Sequence, residues 1–167
     1  MAITGDVVRK KELTQSQAAF TFSLTAVALY DAFIACWDAK YSFSTIRPVT
    51  YIHKYIDKDW SPYLQTPPFP EFPSGHSTVS AAAATVLTGL FGENYAFTDS
   101  SEVPFGLPIR SFDSFYDASN EAAMSRLYGG IHFHWGNEAG KILGKKVGKM
   151  VLDKAGQDAQ LSYDENK

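Results

Sequence analysis

The side chains with the greatest chemical capability fall into three short segments. The first is Lys40, separated by six residues from Arg47-Pro48. A residue before proline is pushed out of the helical region, so Arg47 belongs at an element boundary, where its planar fork can grip two oxygens of a tetrahedral anion. The second is Pro73-Ser74-Gly75-His76 at the start of a helical pattern. The free N–H groups and dipole of a helix N-terminus attract anions, and glycine lets the backbone come close. Ser74 suits the cap, and His76 could exchange a proton near neutral pH. The third is Ser125-Arg126, five residues, then His132. Gly129-Gly130 lets the chain turn so that Arg126 and His132 face one cavity. Taken singly, each segment also has an ordinary reading: solvated cations, a serine-capped helix, a hydrogen-bonded core histidine.

The elements that must position these residues are helical. Thr14 with Gln17 forms a capping box, and Phe20, Leu24, Val27, Ala28, Ala32 and Cys36 continue a nearly all-round apolar helix. Pro48 suits the first position of a short helix running to about Asp57. Five prolines between Ser61 and Pro73 enforce a stiff, extended loop. Gly75 to Phe91 reads as a small-residue helix stopped by Gly92. The turn-rich stretch from Glu93 to about Ser111 has the length of a lid or specificity element. Ser114 with Asp117 caps the next helix, which ends near Gly129. The last helix spans about His132 to Leu152, with glycines at 136, 140, 144 and 148 that favour close packing in a bundle. The expected fold is all-α, a bundle of about five helices, in one domain covering residues 1–167.

Composition limits the partners. With 167 residues, 45% hydrophobic and 20% charged, the chain can bury a core. Fifteen Lys and Arg against eighteen Asp and Glu leave a net charge of −3, without the basic excess that nucleic-acid binding needs. No uninterrupted apolar run reaches the length of a membrane span, so no transmembrane segment is expected. The single cysteine, Cys36, has no disulfide partner and reads as a small core hydrophobe. Residues 1–11 lack the pattern of a secretory signal. His53 and His134 read as structural or solvated.

In combination and in this order, Lys40…Arg47-Pro48, Pro73-Ser74-Gly75-His76 and Ser125-Arg126…His132 resemble the three-part signature of the type 2 phosphatidic acid phosphatase and vanadium-dependent haloperoxidase superfamily. The Pro-Pro-Phe-Pro-Glu-Phe-Pro lead into Ser74 is most similar to the soluble bacterial haloperoxidase-like branch. The resemblance covers about Thr14 to Leu152. It implies a helical bundle, either the C-terminal catalytic portion of a longer chain or a minimal version, and a soluble protein with export to the bacterial periplasm among the options.

It also implies roles. Lys40, Arg47 and Arg126 would bind the equatorial oxygens of phosphate or vanadate, aided by Ser74 and the Gly75 N–H. His132 would attack phosphorus or ligate vanadium, and His76 would protonate the leaving oxygen from the opposite side. An in-line displacement at phosphorus has these same needs: positive charge around the equator, and a nucleophile and an acid at the apices.

One position departs from the pattern. Four residues after the motif histidine the phosphatases carry an aspartate that orients it, and here that residue is Gly136. Asn137, Glu138 or a backbone carbonyl are the candidate substitutes for holding the imidazole. Asp31 and Asp38, on one helix face near Lys40, could instead hold the arginines. Three readings follow. The first is a metal-independent hydrolase of phosphate monoesters working through phosphohistidine, with no cofactor and a small phosphorylated substrate. The second is a haloperoxidase with vanadate as cofactor, and the third an oxyanion-binding module with little turnover.

Overall fold

The computed structural model describes residues 1–156. Six α-helices run through them: α1 (Ala2–Lys10), α2 (Gln15–Phe43), α3 (Pro48–Tyr55), α4 (Gly75–Phe91), α5 (Phe115–Tyr128) and α6 (His134–Lys154). Between α4 and α5 lies a two-stranded antiparallel ribbon, β1 (Phe97–Asp99) and β2 (Arg110–Phe112), that pairs Phe97 with Phe112. The all-helical expectation holds, with α1 and the ribbon added to it.

Local chemistry explains the boundaries. The Thr14 hydroxyl accepts from the Gln17 N–H while the Gln17 side chain accepts from the Thr14 N–H, a complete capping box for α2. Pro48 takes the first position of α3 after extended Arg47. Ser74 caps α4 and Ser114 caps α5, each through its hydroxyl to the N–H three residues on. Only the start of α6 differs from expectation: Phe133 is its cap, so His132 sits just outside the helix rather than in its first turn.

α4 is the central rod, packed against α2, α5 and α6. Its contact with α6 is closest because α6 presents glycines to it. A Cβ at Gly140 would lie 2.7 Å from the Ser74 carbonyl oxygen, at Gly144 2.1 Å from that of Thr78, and at Gly148 2.7 Å from that of Ala82. The spacing of four residues therefore builds a groove in which the α4 backbone rests. Leu24, Ala28 and Ala32 of α2 complete this core with Ala82, Val86, Val147 and Val151. A second cluster joins Val7 of α1 to Ala84, Leu87, Phe97, Phe112 and Phe115, which anchors both the N-terminal helix and the ribbon.

The segment Gln15–Tyr55, containing α2, has an 18-residue window of mean hydropathy 1.6, long and apolar enough by length and composition to cross a membrane. No uninterrupted apolar run is needed to reach that value, because scattered Thr and Ser residues lower mean hydropathy little, and a core helix passes the same test. Only 28% of that window is buried, and Val27, Tyr30 and Ile34 are among its exposed apolar residues. The opposite face of α2 packs on α4 and α6.

Candidate functional site

The three motifs meet because the N-termini of α4 and α6 are joined. The Ser74 N–H donates to the Gly136 carbonyl at 3.0 Å, and the close packing along the α6 glycines keeps both helix starts together. The turn between α5 and α6 is covered by the proline-rich loop, where the Leu64 N–H donates to the Gly129 carbonyl at 3.0 Å. A cavity of about 610 Å³ opens at this junction. Its wall includes Gly75, His76, Arg126 and His132, faced by apolar residues such as Trp37 and Phe69. A second cavity of about 530 Å³, bordered by the ribbon, shares His76, Ser80, Ala122 and Arg126 with the first.

His132 is buried, and both ring nitrogens are engaged. Nδ1 lies 2.7 Å from Glu71 Oε1, and Nε2 lies 3.1 Å from Arg47 Nη1. A guanidinium only donates, so Nε2 carries the lone pair and Nδ1 the proton, which it donates to the carboxylate. Burial pushes the imidazole below its ordinary pKa, the Glu71 hydrogen bond pulls it back, and the Arg47 charge lowers it again.

Arg47 is fixed by backbone carbonyls. Nε donates to Phe69 at 3.0 Å, Nη1 to Ile131 at 2.7 Å and Nη2 to Pro70 at 3.3 Å. Arg126 Nη1 donates to His76 Nε2 at 3.3 Å, and its Nε to the Ser125 hydroxyl at 3.1 Å. His76 lies at the exposed mouth of the cavity. Desolvation by the cavity walls, then the Arg126 charge and then His132, push its pKa down to about 4.

Lys40 departs from the arrangement expected of it. It is fully buried, and its ammonium donates to the carbonyls of Pro70 at 2.9 Å, Glu71 at 3.0 Å and Pro73 at 2.6 Å. All three N–H bonds are thereby used on the proline-rich loop. Burial lowers its pKa to about 8, so it remains an ammonium ion at neutral pH. Ser74 is likewise fully buried, its oxygen accepting from the Ser77 N–H and lying 3.0 Å from the Ser77 hydroxyl. The wall of the larger cavity thus includes Gly75, His76, Arg126 and His132 from the sequence-derived set, with Arg47 behind His132 and with Lys40 and Ser74 supporting the loop and helix that carry the rest.

None of the expected substitutes for an orienting carboxylate touches His132. Asn137 accepts from the Ser77 hydroxyl at 3.2 Å and donates to the Ala123 carbonyl at 2.8 Å. Glu138 pairs with Lys141 at 2.8 Å and with His134 at 3.7 Å. Asp31 and Asp38, expected to hold the arginines, are exposed, and Arg47 and Arg126 take other partners. The partner of His132 is Glu71, wholly buried, whose Oε1 also accepts from the N–H of Phe133, the residue just before α6, at 3.2 Å. Its only sequence signal is a carboxylate inside an apolar, proline-rich run, a polar residue that burial would punish unless partnered.

The charges favour an anion. Around His132, Lys40, Arg47 and Arg126 stand against the buried carboxylate of Glu71, and Arg47 and Arg126 are both held below their ordinary pKa by burial. Such a cationic excess in a partly desolvated pocket suits a tetrahedral oxyanion, phosphate or vanadate alike.

A helical bundle that brings these three motifs to one cationic cavity defines the superfamily of type 2 phosphatidic acid phosphatases and vanadium haloperoxidases. Within it, the chain belongs to the family described as VCPO second helical-bundle domain, whose model matches residues 20–59 and 56–160. A bacterial vanadium-dependent iodoperoxidase of solved structure is 50% identical, with a TM-score of 0.89 over 92% of this chain and 37% of that one. The holo form of a bacterial vanadium-dependent chloroperoxidase is 22% identical with a TM-score of 0.66, over 78% of this chain and 34% of that one. An apo form is 20% identical with a TM-score of 0.76, over 91% and 39%, and these two likenesses speak to the fold alone. The chain therefore spans less than two fifths of the length of these structures. No curated protein sequence matches it significantly.

Proposed function

We propose that this chain carries the oxyanion site of a vanadium-dependent haloperoxidase, with iodide as the first halide to test. The observation that supports it most is the Nε2 lone pair of His132. It is fixed by a carboxylate on the other ring nitrogen and lies beside Arg47 and an Arg126-lined cavity, in a chain half identical to a bacterial iodoperoxidase. His132 would hold vanadium through Nε2, with Arg47, Arg126 and the Gly75 N–H neutralising the oxygens. When bound, vanadate supplies the Lewis-acidic centre on which hydrogen peroxide becomes an oxidant for halide.

The protein's own groups do the rest. Arg47 is held in place by three carbonyls, and its Nη1 bond to Nε2 would give way as the oxyanion takes that lone pair, turning the freed N–H to an oxygen. Lys40 stiffens the loop that carries Glu71. His76, neutral at pH 7, would take a proton on Nε2 from a reactant at the cavity mouth once a bound oxyanion draws Arg126 away from that nitrogen.

A second reading, hydrolysis of a phosphate monoester by attack of the same Nε2, draws on the larger cavity. Peroxide and halide need little space, whereas about 610 Å³ bounded by Trp37, Phe69 and other apolar side chains accommodates the organic part of an ester. Side-by-side assays on one sample separate the readings. Iodide oxidation that requires both vanadate and peroxide supports the first, and vanadate-inhibited hydrolysis of an aryl phosphate supports the second. Tight vanadate binding without either reaction leaves an oxyanion-binding module.

A further inference from the structure

Gly136 and Glu71 are two halves of one arrangement. A Cβ built on Gly136 would lie 2.1 Å from Glu71 Oε1, 2.8 Å from its carboxyl carbon and 2.9 Å from Oε2. The volume that any side chain at 136 would occupy is therefore filled by a carboxylate arriving from the proline-rich loop, 65 residues earlier in the chain. We infer that Glu71 is the positioning residue for His132, and that Gly136 is required because the orienting carboxylate has moved from helix α6 to the loop. The inference rests on the reading of His132 as the oxyanion-binding imidazole.

Three observations go beyond the hydrogen bond itself. First, the loop around Glu71 is pinned from several sides: its N–H donates to the Thr45 carbonyl at 3.1 Å, its carbonyl accepts from Lys40, and the next N–H, of Phe72, donates to the Thr45 hydroxyl at 2.9 Å. The carboxylate thus meets His132 from a fixed base, as an orienting group must. Secondly, Glu71 has no exposed surface and its Oε2 has no hydrogen-bond partner among the described residues. A carboxylate buried with one oxygen unpaired is costly, and the single bond from the Phe133 N–H does not offset that cost, so its bond to His132 is the one that accounts for a charged group here. Thirdly, Glu71 and Arg47 demand the same tautomer from the two sides of the ring, the carboxylate accepting the Nδ1 proton and the guanidinium donating to the Nε2 lone pair, so Glu71 is the group that keeps the lone pair on Nε2 once an oxyanion draws Arg47 away.

The test compares the wild type with Glu71→Ala, Gly136→Asp, the double variant Glu71→Ala/Gly136→Asp, and His132→Ala. Long-range ¹⁵N–¹H spectra of histidine-labelled protein report the His132 tautomer, and calorimetry reports affinity for orthovanadate. In the wild type, His132 is expected to carry its proton on Nδ1 with Nε2 unprotonated. Glu71→Ala should remove the acceptor of the Nδ1 proton, mix the tautomers once orthovanadate draws Arg47 from Nε2, and weaken vanadate binding by about 10- to 100-fold, the usual effect of losing a group that orients a ligating histidine. Gly136→Asp alone should collide with Glu71 and lose binding. The double variant, with the carboxylate returned to the helix, should regain the wild-type tautomer and most of the affinity. A rescue of this kind is not expected if Glu71 merely fills space.

An Nε2-protonated or doubly protonated His132 in the wild type at pH 7 overturns the inference without any variant having to fold. So does a Glu71→Ala protein with unchanged tautomer and affinity. If instead His132→Ala binds vanadate like the wild type, it is the reading of the site that fails, whatever Glu71 does to the tautomer.

Discussion

The Nζ of Lys40 lies 2.6 Å from the Pro73 carbonyl oxygen, and with two further carbonyls it ties the end of α2 to the loop that delivers Ser74 and Glu71. A cation whose N–H bonds are all used on backbone oxygens supports the loop around the anion site. This changes what its removal should do. Lys40→Met is expected to leave three buried carbonyls unpaired beside a long apolar chain and to destabilise the protein by about 3 kcal/mol or more. Denaturant unfolding measures this, and amide exchange of the Pro70–Ser74 loop should accelerate with it. A variant as stable as the wild type would refute the supporting role.

Arg126 makes the contrast. It bonds only the Ser125 hydroxyl and His76 among the described hydrogen bonds and faces both cavities. Arg126→Ala should change stability by no more than about 0.5 kcal/mol. It should nevertheless lower affinity for inorganic phosphate and vanadate at least tenfold, because a charge-assisted partner of the anion is lost. Calorimetric titration of the two oxyanions gives the answer, and unchanged affinity removes Arg126 from the site.

His76 makes stability depend on pH with a definite sign. Its pKa of about 4 in the folded chain lies below its ordinary value of 6.5. Between these values the unfolded chain binds more protons than the folded one, so stability should fall as pH drops from about 6.5 towards about 4 and level off below, as far as this group is concerned. His132, shifted in the same direction, adds to the slope. Comparing urea unfolding of the wild type and His76→Gln across this range isolates the share of His76. Inorganic phosphate should raise the His76 pKa in an NMR titration, because an anion beside Arg126 offsets the charge that depresses it.

Asn137 binds three helices at once, accepting from Ser77 of α4 and donating to the Ala123 carbonyl of α5 from its own place in α6. It is nearly inaccessible to solvent. Asn137→Ala should cost about 1–3 kcal/mol, since the Ala123 carbonyl is left without this partner in the interior. Thermal unfolding tests it. The His132 tautomer should stay as in the wild type, since no hydrogen bond connects the two side chains.

The packing of α6 on α4 gives the largest expected effect of a single methyl group. Gly144→Ala would put Cβ against the Thr78 carbonyl and should destabilise by about 1–3 kcal/mol or more. Gly5→Ala in α1 meets only side chains at 3.7 Å and should be neutral or stabilising by up to about 1 kcal/mol. Equal melting temperatures for these two variants would refute the close-packed groove.

Much of this molecule is determined over a few residues at a time, and that much is legible in the sequence. Thr14 with Gln17, Ser74 and Ser114 start their helices through hydroxyl-to-backbone bonds spanning three residues, and Gly92 ends α4 where the pattern places it. The glycine spacing of α6 announces close packing, and the order of the three motifs identifies the superfamily. Short-range signals were weaker elsewhere: α1 is a nine-residue helix with no side-chain cap, and the ribbon strands have three residues each, held by aromatic packing against α5. What only the tertiary structure decided is which side chain serves which. The bond between Glu71 and His132 spans 61 residues, and the carbonyls that occupy Lys40 lie 30 to 33 residues away. Such pairings follow from how a stiff loop folds over two helix ends, a geometry with no local periodicity. A lysine at a motif position therefore looks the same in sequence whether it faces an anion or a carbonyl, and a missing aspartate gives no hint of where its replacement comes from.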